Sequence, residues 1–597
     1  MRITGADIVL ETLIANGVED LFGFPGGAVI PIYDAIYQRK DKVKHYRTCH
    51  EQGAVHAADG YARATGKVGV CIVTSGPGAT NTITGIATAF MDSSPVLILS
   101  GQVSSALIGR DSFQEVDITA MTITITKHCE MVKKTEEIAA AIERGIKIAL
   151  EGRPGPVLID IPKDLLTAQI PLEDFENYLK ASKENSNALT AEFDDEKSNR
   201  SENETILNQL KDYFRTAKSP VLLVGGGVIH AGVSEKLTEW AIEKQFPVAN
   251  TLMGSGAFPQ SHPLSLGLIG MHGHAHANHK LQSADLVIAL GVRFSDRVVG
   301  AEKHFLQNAT IVQIDLDANE LGKNKEVTFP WQEKLETALS ILIEASKEFK
   351  RTPELFEIVS MKNQASIVEN ALQNKPSNES SNESHLSKLK AKSDQEDQII
   401  AEKALKLIHT ESPKHITVVT EVGQHQMWTA QFFGFDQPRQ FITSGGLGTM
   451  GFGLGAAIGA SIALKKRVLH IAGDGSFKMN SNELETVSKY KLPITTVIVN
   501  NHALGMVRQW QHLFCDSRYS ETDAEQIVDF VKLAKAYGIV GFRVEHLKDL
   551  EIILKGIKDT EGPVLIECDF NIDEGVYPII PPGKGVQDMI EEAPCLQ

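Results

Sequence analysis

Two runs decide how the chain is read: Val468-Leu469-His470-Ile471-Ala472-Gly473-Asp474-Gly475-Ser476, and Ile494-Thr495-Thr496-Val497-Ile498-Val499-Asn500-Asn501. Each is mainly apolar and rich in β-branched residues, as a buried parallel strand is. The first ends in a glycine turn that carries an Asp, the second in a pair of Asn. Residues 482–490 between them have helical composition. Strand, turn, helix, strand is a βαβ crossover, and neighbouring parallel strands end on the same edge of their sheet. Asp474 and Asn501 therefore meet there, beside a glycine turn that an anion can approach closely. Two hard oxygen ligands next to a phosphate suit Mg²⁺, which keeps octahedral oxygen ligation shared between protein and phosphate.

The same pattern extends outward. Residues 70–74, 96–100 and 157–161 are further buried-strand runs near the start of the chain, and 221–224, 286–290 and 310–314 form a second set. The fold class is α/β, with three doubly wound, mainly parallel-sheet domains at 1–170, 206–345 and 399–597. Linkers are expected at 171–205, which is acidic with poor periodicity, and at 346–398, which contains a Ser, Asn, Glu and Lys-rich tract. The 597 residues suit three or four domains. A net charge of −17 argues against a nucleic-acid partner. Six cysteines without CxxC pairing suggest free thiols in a reducing compartment. There is no signal-like leader, and no apolar run long enough for a membrane helix, so a soluble cytoplasmic protein is expected.

A second constellation lies in the first domain. His50-Glu51-Gln52-Gly53-Ala54 stands where a polar stretch gives way to a helical pattern. Alone, Glu51 would be an ordinary acidic residue at a helix start, worth about 0.3–1 kcal/mol. Ser75-Gly76-Pro77-Gly78-Ala79-Thr80-Asn81 follows as another strand-end glycine turn. Together with the Gly473–Asn501 stretch, this layout resembles the thiamine-diphosphate enzymes of the pyruvate-oxidase and acetohydroxyacid-synthase group. Six further motifs are similar to the acetohydroxyacid synthase (acetolactate synthase) catalytic subunits in particular. They are Phe22-Gly23-Phe24-Pro25-Gly26-Gly27, Asp111-Ser112-Phe113-Gln114-Glu115, Arg153-Pro154-Gly155-Pro156, Gly423-Gln424-His425-Gln426-Met427-Trp428, Gly445-Gly446-Leu447-Gly448-Thr449-Met450-Gly451 and Gly505-Met506-Val507-Arg508-Gln509-Trp510.

The resemblance implies roles, position by position. Glu51 supports the aminopyrimidine tautomer whose imino group removes the thiazolium C2 proton. Asp474 and Asn501 bind Mg²⁺ with their side chains, and Ala503 with its carbonyl. Gln424, His425, Gly473, Gly475 and Ser476 face the diphosphate. Met450 wedges the cofactor into a bent shape, and Gly448 and Met506 match further cofactor positions. Pro77, Asn81 and Gln114 lie near the pyrimidine and the reacting groups, and Gly27 supplies a backbone donor. Trp510 selects the second substrate, and Lys163, Phe113, Met271 and Arg297 line its approach. FAD is implied in the middle domain, at Arg153, Gly225, Gly226, Gly227, Thr251, Leu252, Gly270, Met271, His272, Arg293 and Val298. Where the family usually reads Arg-Phe-Asp-Asp-Arg, this chain has Arg293-Phe294-Ser295-Asp296-Arg297, and Ser295 offers no charged acceptor. The His-rich run 272–279 suggests chelation, yet it contains no Cys, Asp or Glu, and the resemblance needs only His272.

The implied activity is acetolactate synthesis from pyruvate, or from pyruvate and 2-oxobutyrate, in branched-chain amino-acid biosynthesis. The implied cofactors are thiamine diphosphate, Mg²⁺ and FAD. A homodimer or homotetramer and a small regulatory subunit are the implied partners. Pyruvate oxidase, a flavin-free acetolactate synthase and a non-catalytic cofactor-binding scaffold are the alternatives.

Overall fold

The computed structural model describes residues 1–192, 200–350, 397–523 and 527–593. It contains three six-stranded sheets, every one parallel throughout, and their central strands are the apolar runs that a sheet covered on both faces needs. In the first, the spatial order is Lys44–Arg47, Asp20–Gly23, Gly69–Val73, Val96–Gln102, Val157–Pro162, His128–Met131. In the third it is Phe441–Ile442, Thr417–Thr420, Val468–Gly473, Ile494–Asn500, Val564–Asp569, Val540–Val544. Numbered within their own domains, both read 2-1-3-4-6-5. The middle sheet runs Ser265–Leu268, Val248–Asn250, Pro220–Val224, Leu286–Leu290, Thr310–Asp315, Phe329–Gln332, which is the 3-2-1-4-5-6 order of dinucleotide-binding folds. A short antiparallel pair, Arg2–Thr4 with Gln169–Pro171, ties the two ends of the first domain together.

The crossover around Asp474 differs in one respect from its sequence reading. Gly473 is extended (φ −90°, ψ 158°), and a helix begins at once as Asp474–Asn480. A 3₁₀ turn, Ser481–Glu483, and a second helix, Leu484–Lys489, follow. Gly475, a poor helix former, disguises this helix as a turn. The stretch read as a linker at 171–205 opens with helix Leu172–Glu192. Phe175, Tyr178 and Leu179 share a helix face and pack on the first core, and Glu143 accepts hydrogen bonds from Tyr178 and Ser182 at 2.6 Å. The tract 373–398 lies almost wholly outside the described residues.

The first and third domains share a core. Helix Glu51–Thr65 packs against Gly453–Leu464, and glycines let the backbones touch. A Cβ on Gly60 would lie 2.1 Å from the Ala456 oxygen, and one on Gly459 would lie 1.8 Å from the Ala57 oxygen. Gly459→Ala is expected to lower stability by roughly 1–3 kcal/mol or more, as overpacking does. Gly556→Ala, where an added methyl meets nothing, should not. Thermal unfolding of the two variants side by side checks the contrast. Among the described residues, no helix is long and apolar enough to cross a membrane.

Candidate active site

Nearly all the site residues expected from sequence stand at carboxyl ends of strands, where open α/β sheets bind ligands. In the first domain, five neighbouring strands contribute in spatial order. Glu51 follows Lys44–Arg47, Gly27 follows Asp20–Gly23, and Pro77 and Asn81 follow Gly69–Val73. Phe113 and Gln114 follow Val96–Gln102, and Lys163 follows Val157–Pro162. Glu51 is the first residue of its helix, capped by His50, whose Nδ1 accepts from the Gln52 amide at 3.1 Å. Asn81 Nδ2 donates to Glu51 Oε2 at 3.0 Å. Gly78 leaves room for this carboxylate, since a Cβ there would lie 3.3 Å from Oε1. Gln114 has a positive φ of 61° and packs against Gly76, while Phe113 is 88% exposed.

A residue that sequence reading missed holds the turn before Glu51. Glu483, fully buried and from the third domain, accepts from the backbone N–H groups of Cys49 and His50, each at 3.0 Å. Thr486 donates to it at 2.7 Å. Burial raises its carboxyl above the ordinary range, opposed by these donors.

In the third domain four neighbouring strands build a second cluster. Gly448 and Met450 follow Phe441–Ile442, and Gln424 and His425 follow Thr417–Thr420. Gly473 ends its strand with Asp474, Gly475 and Ser476 behind it, and Asn501, Ala503 and Met506 follow Ile494–Asn500. Helices Gln424–Phe432 and Asp474–Asn480 both start at this edge, so their N-termini, the ends that favour negative charge, face it. Gly473 must be glycine, because a Cβ would lie 2.7 Å from His425 Nδ1. Burial, then the His470 ring, push His425 down to about 3, so its ring is neutral. Its buried Nε2 has no partner in the protein. Glu421, also missed from sequence, accepts from the Gly451 amide at 2.7 Å and the Leu454 amide at 3.2 Å, fixing the segment that carries Met450.

The residues expected to hold a metal stand together at this edge. Asn501 Oδ1 lies 3.0 Å from the Ala503 oxygen and 3.3 Å from Asp474 Oδ1. Three oxygens this close repel one another unless a cation lies among them. Adjacent ligands of an octahedral ion bound at 2.0–2.1 Å stand about 3 Å apart, so the triad fits Mg²⁺. Asp474 Oδ2 is buried without a hydrogen-bond partner, and Lys478 stands 3.8 Å away. Burial raises the Asp474 carboxyl, against the pull of Lys478.

The middle domain opens into a cavity of about 1120 Å³. Arg153, Gly226, Gly227, Thr251, Leu252, Met271, His272, Arg293 and Val298 line it, and Gly448, Met506, Arg297 and Trp510 continue the same wall. It lies at the switch point between Pro220–Val224 and Leu286–Leu290, where such a sheet binds dinucleotides. Gly225 and Gly270 do not line it; they permit close packing, their added Cβ atoms falling 2.0 Å from the Gly291 oxygen and 2.3 Å from the Arg297 oxygen. Arg153 bridges domains, bonding Ser93 at 2.8 Å and Glu320 at 2.8 Å. Asp92, paired with buried Arg63 at 3.1 Å, accepts from the Gly445 amide at 3.1 Å and the Gly446 amide at 2.6 Å. Burial lowers His272 to about 4, leaving it neutral. Ser295 precedes helix Asp296–Val299 without a side-chain cap bond. The His-rich run disperses: His274 and His276 stack at 5.3 Å, His276 bonds the Leu266 oxygen, and His279 reaches Glu591. Among the described residues no group of three or more His, Cys, Asp or Glu could hold a metal. Gly27, Phe113, Gln114 and Lys163 do not line the cavity.

Comparison with known proteins places these clusters. Residues 3–121 match the N-terminal TPP binding domain of thiamine pyrophosphate enzymes, 207–342 their central domain, and 421–568 their C-terminal TPP binding domain. The chain is 40% identical to an acetolactate synthase of Arthrospira platensis, over 99% of its own length and 98% of that protein's. It is 39% identical to the acetolactate synthase isozyme 2 large subunit of Escherichia coli, over 99% of its own length and 100% of that protein's. To the isozyme 3 large subunit of the same organism it is 40% identical, over 98% of each. The chain belongs to the acetolactate synthase family of thiamine pyrophosphate enzymes. In this family member, Glu51 falls in the N-terminal TPP binding domain and the Asp474 triad in the C-terminal one.

Proposed function

We propose that the chain catalyses acetolactate synthesis in the cytoplasm. It decarboxylates pyruvate and transfers the two-carbon unit to pyruvate or 2-oxobutyrate. The products are carbon dioxide and 2-acetolactate or 2-aceto-2-hydroxybutyrate, precursors in branched-chain amino-acid biosynthesis. The observation that carries this reading is the division of labour between the end domains: a carboxylate fixed by Asn81 in one, and an oxygen triad of Asp474, Asn501 and Ala503 in the other. Thiamine diphosphate, when bound, supplies the carbon centre that stabilises negative charge as bonds to a carbonyl are broken and made. Glu51 holds or moves a proton at the pyrimidine ring. The triad would hold Mg²⁺, which would neutralise the charge of the diphosphate, and the helix start at Gln424 would favour the same negative charge.

Gly27, Gln114, Lys163 and Phe113 border the reacting groups on the first-domain side. In the same part of the chain as Gln114, Leu107, Ile108, Phe113, Met121 and Ile123 present exposed apolar side chains, which suits burial against a second copy of the chain in a homodimer or homotetramer. FAD occupies the central cavity as a structural group. A small regulatory subunit joins the assembly, in keeping with relatives named large subunits.

The test is anaerobic incubation with pyruvate, Mg²⁺, thiamine diphosphate and FAD, with and without 2-oxobutyrate. Acetolactate is expected; turnover only with an added electron acceptor would mark an oxidase instead.

Trp510 sets the choice of second substrate. It stands edge-on to Phe514 (5.8 Å, 87°) and lines the same cavity as Met271 and Gly448. Its flat wall contacts the extra methylene of 2-oxobutyrate, worth about 1–3 kcal/mol or 10–200-fold in selectivity. Trp510→Leu is therefore expected to reduce most of the preference for 2-oxobutyrate while sparing pyruvate self-condensation. Product ratios from mixed substrates measure it.

A further inference from the structure

The amide of Asn501 has two possible orientations, and only one makes a metal site. With Nδ2 turned inward it would donate to the Ala503 oxygen at 3.0 Å and Asp474 Oδ1 at 3.3 Å, closing the triad on itself. Its oxygen would then face Gln424 Oε1 at 2.8 Å, two acceptors in contact. What prevents Gln424 from turning to accommodate this lies further away, on helix Gly505–Phe514.

Gln509 is clamped by one residue of main chain. Its Oε1 accepts from the Val576 N–H at 2.9 Å, and its Nε2 donates to the Val576 oxygen at 2.9 Å. A peptide N–H cannot accept and a carbonyl cannot donate, so this amide has one orientation. Gln509 Oε1 also accepts from Gln424 Nε2 at 3.0 Å, and the Glu574 carbonyl accepts from the same nitrogen at 3.0 Å. Gln424 must then present Oε1 to Asn501, and Asn501 Nδ2 donates to it at 2.8 Å. Asn501 Oδ1 is left pointing at Asp474 and at Ala503, whose N–H it accepts at 3.3 Å, a longer bond that favours the same orientation. All three amides are buried, with exposures of 4% for Gln424, 5% for Asn501 and 6% for Gln509, so a reversed partner would leave unpaired groups away from water. Gly505 admits the chain of amides: a Cβ there would fall 1.9 Å from Gln424 Oε1 and 2.3 Å from Asn501 Nδ2.

We propose that Gln509 is a positioning residue for the metal site: through Gln424 it transmits the orientation of the Val576 peptide to Asn501 and keeps its oxygen turned toward the cation. This rests on the Mg²⁺ reading of the triad. Gln509→Met keeps the volume and removes the relay. Mg²⁺ half-saturation is measured on the full chain through tryptophan fluorescence during thiamine diphosphate binding, with thermal unfolding alongside. Apparent Mg²⁺ affinity is expected to fall about 10–100-fold, as for other partners that orient a metal ligand. In the N501D background a carboxylate presents oxygen in both directions, so no amide orientation remains to be set. There Q509M should leave Mg²⁺ affinity unchanged or raise it, because Gln424 is free to turn. Unchanged affinity for Q509M alone, or equal losses in both backgrounds, overturns the relay. Absence of Mg²⁺-dependent binding in the unaltered chain would instead overturn the metal reading itself. Gly505→Ala, which blocks the Gln424–Asn501 contact sterically, is expected to reproduce the loss and serves if Q509M does not fold.

Discussion

Glu51→Gln lowers acetolactate formation by about 10²–10⁴-fold, the contribution of a positioned acid–base group, while thiamine diphosphate binding survives. The substitution is nearly isosteric at the first position of helix Glu51–Thr65, and the His50 cap is independent of it. A glutamine oxygen can still accept from Asn81 Nδ2, which now bonds Glu51 at 3.0 Å. The Glu483 contacts to Cys49 and His50 are main-chain bonds and stay in place. Only exchange of a proton is lost. Steady-state turnover set against a binding titration separates the two effects. An unchanged rate would remove Glu51 from the mechanism.

Asp474→Ala abolishes Mg²⁺-dependent cofactor binding while the protein stays folded. Asp474 is a direct member of the oxygen triad, so the loss should exceed the about 10–100-fold typical of partners one shell further out. The fold should tolerate the change. Strand Val468–Gly473 is held on both sides by parallel ladders, and Lys478, the ion partner left behind, reaches solvent. Calorimetric titration with thiamine diphosphate at fixed Mg²⁺ checks it. Retained tight binding would mean that the cation is held elsewhere.

Much of this was legible in the chain because it rests on local pattern. The strand at 286–290 is an unbroken apolar run and that at 494–499 is β-branched and mainly apolar, and the structure ends them within a residue of those limits. Asp474 and Asn501 could be paired because strand ends of a crossover must share an edge. The polar residues that act across domains were not legible. Glu483 stands in a stretch of helical composition with nothing in the sequence to mark it, and only the approach of Cys49 and His50 gives it work. Gln509 stands in the sequence beside a conspicuous tryptophan with no role of its own, and its meaning depends on Val576, which lies far along the chain. The helix at Leu172–Glu192 was obscured by its charge, although Phe175, Tyr178 and Leu179 mark its buried face.

The crossover from Gly473 to Asn501 serves two masters. Its leading edge carries Asp474 and Asn501, and its interior carries Glu483, which secures the turn before Glu51 in the other domain. It is therefore not a portable cassette. Transplanting the segment from a relative to alter metal preference would also retune the acid–base group. A successful chimera has to exchange the 49–53 turn together with it, since a Cβ on Gly53 would fall 2.3 Å from Glu483 Oε1 and the carboxylate fits only against glycine.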